Sequence, residues 1–315
     1  MALLVISSSR AHQFAASVHE LDPSLEVRIA PALGKLDDIR YALAWQPPPG
    51  MLSALPKLEL VVSIGAGVDH LLHDPSLPDV PIVRFVDPDL TQRMCTYIVL
   101  NVLYHHRRMC EFRELQSTKM WTYLPEAAAH KLRVGIMGLG VLGRAAADSL
   151  RPFGYCLRAW SRAPKSLCGV ATYAGAEELD AFLAATDILA VLLPLTSATR
   201  GILNRPLFTK LSRNGRDERL PGPVLINAGR GGLQIDADIL ASLNAGELYA
   251  ASLDVFQSEP LARTSELWAH PRVVVTPHNA AESTPEAIAH YALAQIGAHK
   301  RGEPLSNLID RIRGY

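Results

Sequence analysis

The stretch VGIMGLGVLGRAAADSL, residues 134–150, decides the fold. Val134 to Met137 form a short apolar run, Gly138, Gly140 and Gly143 then spell G-x-G-x-x-G, and an alanine-rich segment with helical spacing follows. The first glycine allows a tight turn, the second lets the backbone approach a pyrophosphate, and the third lets helix and strand pack closely. The N–H groups at the helix start face the phosphates. Alone the motif is weak, because glycine-rich turns occur without ligands; set between a strand pattern and a helix pattern, it favours a dinucleotide site.

The next strand pattern, LRAWS at 157–161, ends where an NAD-binding chain usually offers Asp or Glu to the ribose 2′-hydroxyl. Here Ser161 and Arg162 stand in that place, with Lys165 close behind and no carboxylate. An acid would repel a 2′-phosphate, whereas a hydroxyl, a guanidinium and an ammonium group bind one through charge-assisted hydrogen bonds. A basic surface loop has the same composition, but the missing acid makes NADP(H) the preferred cofactor, with NAD(H) possible. Val141 and Leu142 inside the glycine motif, and Leu193, Pro194 and Ala228 at two strand ends, are further candidate cofactor residues.

Outward from this unit, short β-rich runs alternate with helical patterns: 3–7, 26–30, 41–45, 60–64 and 81–86, then 132–137, 157–161, 188–193, 224–228, 250–255 and 273–277. Such alternation predicts parallel sheets with crossover helices, an α/β fold. A long helical pattern over 91–116 separates the two series, and the end from about 285 to 302 again reads as helix. The predicted organisation is two domains with a cleft between them. A discontinuous, flavodoxin-like substrate domain spans 1–98 and 285–315, and a Rossmann-type cofactor domain spans 99–284. The polar stretch SRNGRDERLPGP, 212–223, reads as an exposed loop.

With 31 basic against 31 acidic residues, the chain gives no electrostatic reason to bind nucleic acid or an anionic membrane. No apolar run reaches the ~20 residues a membrane helix needs, and MALLVISS is too short and uncharged for a signal peptide. Four scattered cysteines without a C-x-x-C pair fit a reduced, cytoplasmic protein. His70 and His73 lack companions for a metal site and read as surface histidines, and His105 to Arg108 read as the solvated last turn of a helix.

Three further pieces sit just past predicted strands: Arg230 in INAGRGG, Asp254 and Glu259 in LDVFQSEP, and His278 in VTPHNAAES. Strand carboxyl ends are where open α/β sheets bind ligands. Each piece has a plain reading as a turn arginine, a solvated acid or a capping histidine; their ordered arrival downstream of a dinucleotide turn favours a site.

GLGVLG, INAGRGG, LDVFQSEPL and TPHNAA, in that order, resemble the D-isomer-specific 2-hydroxyacid dehydrogenases over nearly the whole chain. AWQPPPG, SIGAGVDHL, WSRAPKS and the ending RIRGY place the resemblance closest to the glyoxylate/hydroxypyruvate reductase A type. The resemblance implies an NADPH-dependent reduction of a small 2-oxoacid to the D-2-hydroxyacid by a homodimer. It makes Arg230 the substrate-binding cation, His278 the proton donor, Glu259 its partner and Asp254 a contact of the nicotinamide. A forked guanidinium suits a carboxylate beside a ketone. It further implies that the Ala66 and Gly67 amides bind the substrate carboxylate, that Trp45 walls the pocket, and that Trp121 reaches a second subunit; the side chains around Trp45, Met94 and Tyr97 set the pocket's size.

Glu259 argues against a formate dehydrogenase of the same family, which carries glutamine there, and the basic cluster argues against an NAD-preferring phosphoglycerate dehydrogenase. The rival of a different class is a dinucleotide-sensing corepressor that keeps the scaffold with little turnover.

Overall fold

The computed structural model describes residues 1–212 and 215–315, in two compact units, Met1–Leu90 with Glu282–Tyr315 and Thr91–Ala281. The first unit carries a five-stranded parallel sheet of β1 (Ala2–Ile6), β2 (Glu26–Ile29), β3 (Ile39–Ala44), β4 (Leu60–Ser63) and β5 (Ile82–Arg84), in the order β2-β1-β3-β4-β5. This is the flavodoxin-like order, with its switch point between β1 and β3. One face packs Leu4, Ile6, Ala42, Ala44 and Val61 into a buried cluster, while Leu3, Val5 and Leu43 on alternate positions are buried as well. Period-two side chains buried on both faces are what a parallel sheet covered by helices requires. Among those helices are α1 (Ala11–Leu21) and α9 (Pro285–Lys300), which pack together; the Thr284 hydroxyl caps α9 by accepting from Ala287 N–H at 3.2 Å, with Pro285 at the first helical position.

The second unit carries a seven-stranded parallel sheet of β6 (Arg133–Met137), β7 (Cys156–Ser161), β8 (Ala171–Ala174), β9 (Ile188–Val191), β10 (Val224–Asn227), β11 (Ala250–Leu253) and β12 (Val273–Val275). Its order, β12-β11-β10-β9-β6-β7-β8, is the Rossmann arrangement with one added strand. Val134, Ile136, Ile188, Ala190, Val224 and Ile226 feed a cluster shared with Ala146, Ala147 and Leu150 of α5 (Val141–Leu150). Met137, Leu189, Val191, Leu225 and Leu253 point the other way. They meet α6 (Leu179–Ala184), α7 (Arg205–Phe208) and α8 (Asp236–Asn244) through Phe182, Phe208 and Ile239.

The structure amends the sequence reading in several places. The edge strand β8 was not among the predicted strands, being exposed at Ala171 and Thr172 with no apolar run to mark it. The single helix expected over 91–116 is two, α3 (Pro88–His106) and α4 (Met109–Ser117), broken where Arg108 adopts φ +57°. The contact boundary also precedes residue 98, because Met94, Tyr97, Ile98 and Val102 of α3 pack into the second unit's core. His105 is not solvated: it is 2% exposed, its ring bonds Ser252 Oγ at 2.8 Å, and burial pushes its pKa down to about 4, so it is a neutral core group. In the 212–223 stretch, Arg213 and Asn214 lie outside the described residues; Leu220 is buried, and Ser212 is buried with its hydroxyl donating to Asp187 at 2.6 Å. Among the described residues no helix is long and apolar enough to cross a membrane.

Candidate active site

The glycine turn after β6 behaves as its spacing requires. Gly138 sits at φ +113°, where a Cβ would lie 2.7 Å from Leu192 O, and its N–H donates to Trp160 O at 2.9 Å. At Gly143 a Cβ would fall 1.8 Å from Gly138 O, so only glycine lets α5 approach the turn this closely. At Gly140 a Cβ would meet nothing within 4 Å, leaving open space over the turn. Val141 and Leu142 open α5 beside it, Val141 exposed and Leu142 half-buried, and Leu193, Pro194 and Ala228 follow the carboxyl ends of β9 and β10.

Beyond β7 the basic loop folds back over the turn. The Lys165 ammonium donates to Leu139 O at 2.8 Å, and Arg144 Nη1 of α5 donates to Ser166 O at 3.2 Å. Partial burial, and then the charges of Arg144 and Arg162, hold the Lys165 ammonium below its ordinary pKa. Arg162 is exposed. Ser161 departs from expectation: it is buried, and its hydroxyl donates to Ala163 O at 2.8 Å, within its own loop. Sequence reasoning missed Arg144, which stands one residue after the glycine motif and on a helix face that only the fold turns toward this loop. An open cradle at Gly140, the start of α5 and a cationic loop are a donor set that fits a phosphorylated dinucleotide.

The chemistry-bearing side chains gather on the loops after β10, β11 and β12. Asn227 and Gln234, both fully buried, hold the β10 loop: Asn227 Nδ2 donates to Gln234 Oε1 at 2.7 Å, and Gly229 N–H donates to Asn227 Oδ1 at 3.0 Å. Arg230 leaves this loop partly exposed, one of its N–H groups on Gly229 O at 2.8 Å. Gly231 presses so closely on the next loop that a Cβ would lie 1.7 Å from Phe256 O. Phe256 N–H in turn donates to Glu259 Oε1 at 3.0 Å, and Glu259 Oε2 meets His278 Nδ1 at 2.7 Å. Burial alone would raise the Glu259 carboxyl. The hydrogen bonds from His278 and Phe256, with the charges of His278 and Arg230, outweigh it and hold the group below the usual carboxylate range. Arg230, Glu259 and His278 are therefore brought together, as their order along the chain suggested.

His278 occupies φ +53°, a left-handed conformation uncommon outside glycine. It is held there by its N–H donating to Asp254 O at 2.8 Å and by the Asp254 carboxylate beneath the loop. That carboxylate, 1% exposed, accepts from Thr276 Oγ1 at 2.6 Å, Asn279 N–H at 3.0 Å and Ala280 N–H at 3.0 Å. Since Thr276 donates to Asp254, its oxygen accepts from Tyr97, whose hydroxyl lies 3.0 Å away and whose burial raises its pKa. Asp254, expected to touch the nicotinamide end of a cofactor, has its carboxylate turned into the loop beneath His278. Met94 and Tyr97, whose geometry was expected to set the pocket's size, belong to the buried core of this unit.

In the first unit Trp45 follows β3, and its ring lies 4.5 Å from that of His70. A Cβ on Gly65 would lie 2.3 Å from the indole, so this glycine admits it. Gln46 N–H donates to His70 Nδ1 at 3.2 Å, so His70 is no free surface histidine. Ser63 Oγ lies 3.2 Å from Gly65 O and 3.4 Å from Gly67 O, shaping the loop that holds Ala66 and Gly67. Trp121 is fully exposed.

A Rossmann sheet carrying a glycine turn, with arginine, glutamate and histidine on the loops after its last three strands, defines a dinucleotide-dependent dehydrogenase scaffold. Residues 99–280 match the family model for the D-isomer specific 2-hydroxyacid dehydrogenase, NAD binding domain. The chain belongs to the D-isomer-specific 2-hydroxyacid dehydrogenase family. It is 42% identical over 281 residues to a glyoxylate/hydroxypyruvate reductase A from Yersinia enterocolitica, with 87% of each chain covered. Among solved structures it is similar to an NADPH-dependent glyoxylate/hydroxypyruvate reductase from Sinorhizobium meliloti in complex with NADP and sulfate, at 43% identity and TM-score 0.92, with 100% of both chains covered. A D-isomer specific 2-hydroxyacid dehydrogenase from Xanthobacter autotrophicus in complex with NADPH and MES gives 39% identity and TM-score 0.92, over 100% of this chain and 99% of that one.

Proposed function

We propose that this protein reduces a short 2-oxoacid, such as glyoxylate or hydroxypyruvate, to the D-2-hydroxyacid with NADPH. The observation that carries the reading is the Glu259–His278 pair at 2.7 Å, close enough to Arg230 for that charge to act on Glu259. The NADP-bound relatives and the cationic loop after β7 support the cofactor assignment.

Bound NADPH supplies the hydride that reaches the keto carbon. Arg230 forks the substrate carboxylate and ketone oxygen, fixing the carbonyl and stabilising the negative charge that grows on it. Glu259 engages Nδ1 of His278, so Nε2 is the nitrogen left to give its proton to the forming alkoxide. Asp254 and Thr276 keep that ring in place. Gly138, Gly140 and Gly143 with Val141 and Leu142 would hold the pyrophosphate, Arg162 and Lys165 the 2′-phosphate, and Leu193, Pro194 and Ala228 line the cofactor's course. Trp45, Ala66 and Gly67 remain proposed substrate-binding residues on the family resemblance, and the active form is taken as a cytoplasmic homodimer.

His278→Ala tests the assignment. Loss of a general acid is expected to lower kcat by about 10²–10⁴-fold with NADPH binding retained; undiminished turnover would remove His278 as the proton donor.

A further inference from the structure

We propose that Arg144 is a specificity-determining residue for the cofactor's 2′-phosphate, a third cation beside Arg162 and Lys165. The inference rests on the NADP(H) reading above.

Arg144 ends the first turn of α5, one residue after the glycine motif. Its guanidinium carries five N–H donors, and among the described residues its side chain has one hydrogen-bond partner, Ser166 O at 3.2 Å. Lys165 reaches the other way, to Leu139 O, so the two cations clasp the 161–166 loop over the turn. The charges of Arg144 and Arg162 both act on Lys165. Cations brought this close repel one another, and a dianionic phosphate is the group that matches them. The main-chain bond to Ser166 uses one edge of the guanidinium and leaves the others for phosphate oxygens, a geometry that lysine does not reproduce.

The test is calorimetric binding of two probes to the full chain, adenosine 2′,5′-bisphosphate and adenosine 5′-monophosphate, with Arg144→Met and Arg144→Lys. The wild type is expected to favour the bisphosphate. Arg144→Met should weaken the bisphosphate by about tenfold, the scale of one partly exposed charge-assisted contact, and leave the monophosphate unchanged. Arg144→Lys should recover part of the loss. Equal weakening of both probes by Arg144→Met would reduce Arg144 to a loop strap and overturn the proposal, as would no weakening of either. A wild type that binds both probes equally would overturn the NADP(H) reading itself, an outcome visible before any variant is made.

Discussion

Asp254→Asn isolates what holds the proposed proton donor in place. The substitution keeps the side chain's shape but replaces one oxygen with an NH2 group. In the structure Oδ1 accepts from Thr276 and Asn279, and Oδ2 accepts from Ala280. The best-placed asparagine keeps its oxygen toward the first two donors and turns its NH2 on the Ala280 N–H, which loses its acceptor at a residue 7% exposed. An unsatisfied buried donor costs about 1–3 kcal/mol, and the two surviving bonds weaken because their acceptor is no longer charged, so a total of about 2–4 kcal/mol follows. For a domain of this size that is on the order of 10 °C in Tm. The loop after β12 should loosen, and His278 should leave its left-handed conformation. Melting curves and steady-state kinetics check this together: Tm and kcat should fall while the KM for NADPH stays near that of the wild type. A variant with the wild-type Tm and kcat would refute the positioning argument, and one that altered only the NADPH KM would restore Asp254 as a cofactor contact.

Two further outcomes follow from the same geometry. Gly143→Ala places a Cβ 1.8 Å from Gly138 O, a backbone atom that no side-chain rotation relieves. The helix must part from the turn, so a drop of about 1–3 kcal/mol in stability and at least about tenfold weaker dinucleotide binding are expected; an unchanged melt and titration would contradict the close-approach reading. The Glu259 carboxyl lies lower in the folded chain than in the unfolded one, so its contribution is present above the ordinary carboxylate value and lost as pH falls through the folded value. Denaturant titrations below about pH 4.5 should therefore show wild type losing stability with acid more steeply than Glu259→Gln, and parallel curves would refute the assignment.

What was legible in the sequence was whatever the backbone itself demands. Gly138 and Gly143 announce the turn because no other residue fits those two points, and the buried strands show as apolar runs because both faces of each sheet are covered. Strand β8 lies at an edge, exposed at its start, and so carries no such mark. The break at Arg108 has neither glycine nor proline to signal it. The basic run containing His105 looks solvated until the fold sets its ring against Ser252, 147 positions away. In the candidate site the residue types that perform chemistry stood out, Arg230, Glu259 and His278 among them. The roles of the groups that aim them did not: Asp254, read as a cofactor contact, holds the histidine loop, Thr276 and Tyr97 extend that network, and Asn227 with Gln234 shapes the arginine loop. Those roles depend on which loops meet in space, and residue order does not state it.

The most direct test of the central claim is initial rates with glyoxylate and with hydroxypyruvate, each against NADPH and NADH at matched concentrations. The account predicts turnover of at least one of these oxoacids with NADPH clearly preferred. Dinucleotide binding without turnover of either would contradict the enzyme reading and leave the sensing scaffold in its place, and turnover that preferred NADH would contradict the roles given to Arg162, Lys165 and Arg144.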